Sequence, residues 1–155
     1  MAEQKRQKVN YIIKELKEKE VTPQQKQLTC CFTGRRNIAD ENIIPITEKL
    51  KKMIQGAIEI GYKIFISGMA EGVDTIAAEI VKELQQKYKD ICLIAYLPYQ
   101  KKLFSIEIAT LLPYCEEIWI AETKNQKGCY HLRNRYMVEH SSLLIAVTDG
   151  KQGGG

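Results

Sequence analysis

The sequence lacks the patterns that mark several classes of protein. Its five cysteines are an odd number and include no C-x-x-C pair, which argues against a disulfide framework or a zinc site. The two histidines, His131 and His140, lie nine residues apart, so we expect no metal site. No apolar run approaches the length of a membrane span, and no signal-peptide core is visible. These absences predict a reduced, cytoplasmic protein without a membrane partner.

Two common nucleotide-binding motifs are also missing. The chain contains neither the P-loop pattern G-x-x-x-x-G-K-[ST] nor the dinucleotide fingerprint G-x-G-x-x-G. The net charge is +4, of which residues 1–26 contribute +3 (seven Lys/Arg against four Asp/Glu), so that only +1 belongs to residues 27–155. Because a nearly neutral body argues against a broad phosphate-backbone footprint, we expect nucleic acid to be an unlikely partner.

Short apolar segments alternate with helical patterns from Leu28 onward. Several of these segments are continuously apolar, which is typical of strands buried on both faces of a parallel sheet. We therefore predict an α/β fold over residues 27–155, a Rossmann-like three-layer sandwich with a mainly parallel sheet of about five or more strands. Residues 1–26 are expected to form a charged arm with a short amphipathic helix. The predicted strands are 28–32, 63–66, 91–97, 117–121 and 143–147, and the predicted helices are 42–60, 75–88, 105–112 and 132–140.

Three glycine-bearing turns follow predicted strands. The carboxyl ends of parallel strands meet at one edge of a sheet, so we expect these turns to lie together. Glycine lets an anion approach the backbone, and a helix N-terminus favours negative charge. The candidate ligand-binding residues, from these turns and from the helix before the last strand, are Thr33, Gly34, Arg35, Arg36, Ser67, Gly68, Met69, Ala70, Glu71, Gly72, Asp74, Asn134, Asp149, Gly150, Gly153 and Gly154.

Each of these candidates also has a purely structural interpretation. The second turn is equally a tight turn with Asp74 as the helix N-cap, and the two arginines of the first turn suit either a phosphate or a solvated loop. Arg133 lies outside the apolar stripe of its predicted helix, where it could face a crevice. Around Pro98, at the end of the third predicted strand, lie Tyr96, Tyr99 and Phe104, where an aromatic ring stacks on a base or packs within the loop.

Three segments together resemble the YpsA-like branch of the SLOG superfamily. They read F-T-G-R-R, I-S-G-M-A-E-G-V-D-T-I-A-A-E and R-N-R-Y-M-V-E-H-S-S-L-L-I-A-V-T-D-G-K-Q-G-G. The superfamily is named for the DNA-processing protein DprA and the LOG cytokinin-activating hydrolases. The resemblance spans roughly residues 28–154 and implies a Rossmann-like sheet whose carboxyl edge binds nucleotides or nucleotide-derived ligands.

The leading interpretation is a sensor or regulatory protein that binds such a ligand. NAD, ADP-ribose and nucleoside monophosphates are the candidate ligands, and no cofactor is required. We also expect the chain to form a homo-oligomer.

Two alternatives remain open. Arg133 matches the arginine of the LOG segment, which implies a nucleoside-monophosphate phosphoribohydrolase with Arg133 as a catalytic residue. The glutamate that assists it in those enzymes would lie beyond Gly154, and the sequence stops at Gly155. A truncated chain, the product of a disrupted gene and a genuinely short protein would all end in this way. Asp74 or Glu71 would then have to replace it. The second alternative is DprA-like binding of single-stranded DNA, which the nearly neutral body disfavours.

Overall fold

A computed structural model describes residues 13–147. Six strands form a single sheet in the order β1-β5-β4-β3-β2-β6, and all five pairings are parallel. The strands are β1 (Lys14–Glu15), β2 (Thr29–Gly34), β3 (Ile64–Ser67), β4 (Cys92–Tyr99), β5 (Cys115–Glu122) and β6 (Leu143–Val147). The α-helices are α1 (Pro23–Gln27), α2 (Asp40–Glu59), α3 (Val73–Leu84) and α4 (Cys129–Glu139). The predicted α/β fold with a parallel sheet is confirmed.

The helices cover both faces of this sheet. From β2 through β4 the chain moves across the sheet in one direction, so right-handed crossovers put α2 and α3 on the same face. Helix α4 connects β5 back to β6 in the opposite direction and therefore packs on the other face. The buried apolar side chains form two clusters accordingly: Phe65 belongs to the cluster with α2 and α3, and its neighbour Ile66 to the cluster with α4.

Helix α2 illustrates how sequence spacing determines packing. Its buried residues, Ile46, Leu50, Ile54 and Ala57, recur every three or four positions and form one stripe toward the sheet. Acidic Asp40 and Glu41 occupy its first turn, where they complement the helix dipole. The predicted helix over 42–60 thus agrees with the structure to within two residues at its start and one at its end.

The segment before α1 differs from its sequence-based prediction. Instead of an amphipathic helix, Lys14–Glu15 pair with β5 as an edge strand, and Leu16–Glu18 form a 3-10 turn. Ile13 packs against the cluster with α2 and α3, whereas Leu16 belongs to the cluster with α4. Because the two clusters lie on opposite faces of the sheet, this segment runs along the sheet edge. The amino-terminal part of the expected arm, residues 1–12, lies outside the described residues.

The segment after β4 is also different. The helix predicted over 105–112 is replaced by three 3-10 helices, Gln100–Phe104, Ile106–Ile108 and Leu112–Tyr114. Pro113 lies inside the last of them and limits this segment at its carboxyl end, because proline has no N–H with which to continue a helix. Strand β4 itself continues through buried Pro98, which the sequence predicted as its end.

None of the helices that the structure describes combines the length and the apolar composition needed to cross a membrane.

Candidate functional site

The first two predicted turns meet at the carboxyl edge of the sheet. The N–H of Val73 donates to the carbonyl oxygen of Arg35 at 3.2 Å, which joins the start of α3 to the loop after β2. The guanidinium of Arg133 donates from Nη1 to the carbonyl oxygen of Gly68 at 2.5 Å, which joins α4 to the turn after β3. The third turn, with Asp149, Gly150, Gly153 and Gly154, lies outside the described residues.

The glycines of these turns allow the loops to pack on each other. Gly72 has a φ of +95°, and a Cβ there would collide with the carbonyl groups of Arg35 and Arg36. A Cβ on Gly34 would collide with the side chain of Val73. At Gly68 a Cβ would lie 2.8 Å from Nη1 of Arg133 and 2.8 Å from a carboxylate oxygen of Asp74. Glycine is therefore needed at three positions for internal packing, a role that the sequence did not indicate.

Ser67 holds the turn after β3 from inside the protein. Its buried hydroxyl donates to the carbonyl oxygen of Asp74 at 2.9 Å and accepts from the N–H of Met69 at 3.0 Å. The N–H of Ala70 donates to the Asp74 carboxylate at 3.4 Å. Two of the N–H groups expected to hold an anion are thus already bonded within the turn. The N-cap of α3 is Gly72 rather than Asp74, whose carboxylate bonds the preceding turn instead.

Arg133 is the buried cation of the site. Its side chain is 2% exposed, and besides Gly68 it reaches the carbonyl oxygen of Tyr96 at 3.4 Å. Nε donates to the side-chain oxygen of Asn134 at 2.7 Å, so the exposed Asn134 orients the guanidinium. Burial lowers the pKa of Arg133, and the charge of Asp74 acts in the opposite direction. Arg133 therefore links α4 to both β3 and β4, and its catalytic role stays a prediction.

Asp74 should make stability depend on pH. Burial raises the pKa of its carboxyl group from 3.8 to about 6, against the opposing charges of Arg133 and Arg36. Because the folded state binds this proton more tightly than the unfolded state, the free energy of unfolding should fall as pH rises from about 4 to about 6. Asp74→Asn stays neutral, so urea unfolding of this variant should lose that part of the pH dependence. Identical pH profiles for variant and wild type would contradict this expectation.

A cleft of about 220 Å³ opens at this edge above β3 and β4. It combines three cationic side chains, two carboxylates, the turn after β3 and apolar side chains. Its lining residues are Arg36, Gly68, Met69, Ala70, Glu71, Leu97, Pro98, Lys102, Ser105, Glu107, Ile108, Tyr130 and Arg133. Six of the residues predicted for the site, including Arg133, therefore contribute to one cavity. Thr33, Gly34, Arg35, Ser67, Gly72, Asp74 and Asn134 do not line it.

Tyr130 lies at the centre of the cationic side chains. Its ring centroid is 4.7 Å from Cζ of Arg36, 5.6 Å from Cζ of Arg133 and 6.0 Å from Nζ of Lys102. The ring of Tyr99 meets it edge-on, with 6.3 Å between centroids. The sequence analysis missed both Tyr130 and Lys102. A signal for Tyr130 existed, because it lies three residues before Arg133 and so on the same side of a helix.

The other end of α4 has its own polar contact. The phenol oxygen of Tyr96 and Nδ1 of His140 are 2.7 Å apart, so the half-buried His140 has a hydrogen-bond partner. No group of three potential metal-ligating side chains occurs within residues 13–147. The cysteines are free thiols, and burial raises the pKa of Cys92 and of Cys115 to about 12, so neither is a ready nucleophile.

Comparison with known proteins agrees with this architecture. A sequence model of the YspA SLOG family matches residues 30–155. The chain belongs to the YspA SLOG family. Among solved structures, DNA processing protein A from Helicobacter pylori, described as having a unique single-stranded DNA binding mode, is similar with a TM-score of 0.59 and 19% identity. The match covers 86% of this chain and 60% of that protein, and it shows a shared fold. No curated protein matches the chain.

This likeness corrects one expectation. The sequence analysis treated nucleic acid as an unlikely partner because residues 27–155 carry a net charge of only +1. A protein of the same fold is described as binding single-stranded DNA, so the exclusion was wrong. The physical reason is that net charge averages over the whole surface, whereas Arg36, Lys102 and Arg133 are concentrated around one ring.

Proposed function

We propose that this SLOG protein binds a nucleotide or nucleotide-derived ligand in the cleft at the carboxyl edge of the sheet. The observation that supports this most directly is the convergence of Arg36, Lys102 and Arg133 around Tyr130 in a single cavity. Like charges held this close repel one another, and contact with an aromatic face offsets only about 0.5–1 kcal/mol per exposed pair. Asp74 offsets part of the charge of Arg133 and Arg36, and an anionic group in the cleft would offset more of it.

The position of the cleft supports the same proposal. In open α/β sheets, ligands bind outside the carboxyl ends of the strands, which is where Gly68–Glu71 and Pro98 lie. Arginine offers a planar fork of donors that matches a phosphate group. Since carbonyl groups of β4 and of the β3 turn already fix the guanidinium of Arg133, little rotamer freedom would be lost there on binding. Side chains rather than free N–H groups would supply most of the positive charge.

Lys102 and its neighbour Lys101 provide a matched test. Lys102 lines the cleft, whereas Lys101 is exposed and does not. Calorimetric titration with AMP and ADP-ribose should show binding that Lys102→Gln weakens about tenfold, because a charge-assisted contact to phosphate is lost. Lys101→Gln should bind as the wild type does. If the wild type binds neither ligand at millimolar concentration, the proposal fails.

Single-stranded DNA is a second candidate ligand. The similar fold of a protein described as binding such DNA makes it worth testing, and the exposed side chains of Phe104 and Ile106 next to the cleft favour it. Exposed aromatic rings stack on successive bases in proteins that bind single strands. An oligonucleotide added to the same titration decides between the two. Affinity far above that of AMP, with a steep salt dependence, would favour DNA.

A further inference from the structure

The cleft is small for a site that encloses a whole nucleotide. Its volume of about 220 Å³ lies below the range of about 300–1,000 Å³ that is usual for pockets enclosing a drug-sized ligand. On the basis of the function proposed above, we propose that the cleft encloses the ribose 5-phosphate part of the ligand. The base would lie outside, against the side chains of Phe104 and Ile106.

The charges of the cleft fit a sugar phosphate better than a phosphate alone. Glu71, from the turn after β3, and Glu107, from the 3-10 helix Ile106–Ile108, line the same cavity as the three cations. An ionised carboxylate only accepts hydrogen bonds, so it repels phosphate but accepts from hydroxyl groups. Carboxylates have this role toward ribose hydroxyls in other nucleotide-binding sheets. A group that carries both an anion and neighbouring hydroxyls therefore satisfies both signs of charge.

Two strongly exposed apolar side chains neighbour a lining residue of the cleft in sequence. Phe104 is 82% exposed and Ile106 is 88% exposed, and they flank Ser105, which lines the cavity. Large apolar side chains with so much exposed surface gain from contact with a flat ring. Tyr130 is less suited to this role, because Arg36 and Arg133 already lie within cation–π distance of its ring. The base would therefore contact Phe104.

Titration with parts of the ligand tests this division. Ribose 5-phosphate should bind within about tenfold of AMP, since the base adds only one partly exposed stacking contact. The 2′-deoxy form of AMP should bind about tenfold more weakly than AMP, because a hydrogen bond from its hydroxyl to a charged acceptor is lost. Glu107→Gln should reduce this preference for the hydroxyl.

The variant Phe104→Ala separates the two subsites. It should weaken AMP binding severalfold and leave ribose 5-phosphate binding unchanged, whereas Ile44→Ala, which alters an exposed apolar residue of α2, should affect neither. If AMP binds but ribose 5-phosphate does not, or if AMP and its deoxy form bind equally, the inference is overturned while the proposed function stands. If no phosphate-bearing ligand binds at all, the proposed function itself fails.

Discussion

Replacing Arg133 with methionine is expected to lower the free energy of unfolding by about 2–5 kcal/mol and to abolish ligand binding. The carbonyl oxygens of Gly68 and Tyr96 would lose a charged donor in a buried place. Asp74 would lose a positive charge that lowers the pKa of its carboxyl group. The loss of stability should therefore be larger near neutral pH, where Asp74 is ionised, than in mild acid. Urea unfolding at both pH values and calorimetric titration measure the two effects.

Arg135 offers a control on the same helix. Its side chain is 67% exposed and forms an ion pair with Glu139 at 3.8 Å, so Arg135→Met should change stability by less than about 0.5 kcal/mol. Stability equal to that of the wild type in Arg133→Met, with binding lost, would contradict the structural part of this prediction. Such a result would assign Arg133 to the ligand alone.

Among substitutions that add a single carbon atom, Gly72→Ala should be the most damaging in the described part of the chain. Its φ of +95° and ψ of −129° lie in a region that is open to glycine and strained for other residues. The added Cβ would also meet the backbone carbonyls of Arg35 and Arg36, which cannot move aside as a flexible side chain does. We expect a loss of about 3–5 kcal/mol in the free energy of unfolding, measured by urea denaturation, and weaker ligand binding because Arg36 is displaced.

Substitutions at other glycines distinguish backbone strain from steric collision. Gly61 has a φ of +115° but no atom within 4 Å of an added Cβ, so Gly61→Ala reports backbone strain alone. Gly56 lies within α2 with open space around it, and Gly56→Ala should stabilise by about 1 kcal/mol. Gly34→Ala collides with Val73, so adding Val73→Ala should restore part of the loss. Equal effects at Gly72 and Gly61 would show that the contact with the first loop is unimportant.

The sequence predicts most of the fold because local patterns determine it. Strand β6 was predicted with its observed bounds, since Leu143–Val147 is an uninterrupted apolar run. The prediction was wrong where tertiary contacts outweigh local spacing. Ile13 and Leu16 are spaced as on a helix, yet they pack against opposite faces at the sheet edge. Pairing of Lys14–Glu15 with β5 places this segment at the edge of the sheet, where its side chains reach both faces.

The candidate site was predicted in outline for a similar reason. Glycine turns after apolar strands locate the carboxyl edge, so Gly68–Glu71, Arg36 and Arg133 were identified. Lys102, Glu107 and Tyr130 were missed, because no motif marks a 3-10 segment that folds back over the strand ends. The packing roles of the glycines could be identified only from the structure, because a contact between two loops leaves no pattern in the sequence of either loop.

Tyr96 ties one wall of the cleft to the centre of the sheet. Its carbonyl oxygen accepts a hydrogen bond from Arg133, near the middle of α4, and its phenol is hydrogen-bonded to His140, the C-cap of the same helix. A single residue of a central strand thus holds α4 at two points, near its middle and at its carboxyl end, so sliding or tilting of the helix would break one of these bonds. We therefore expect the wall that carries Tyr130 and Arg133 to keep its position when a ligand binds. We expect any closure around a ligand to involve the short 3-10 helices between Gln100 and Ile108, which carry the lining residues Lys102 and Glu107.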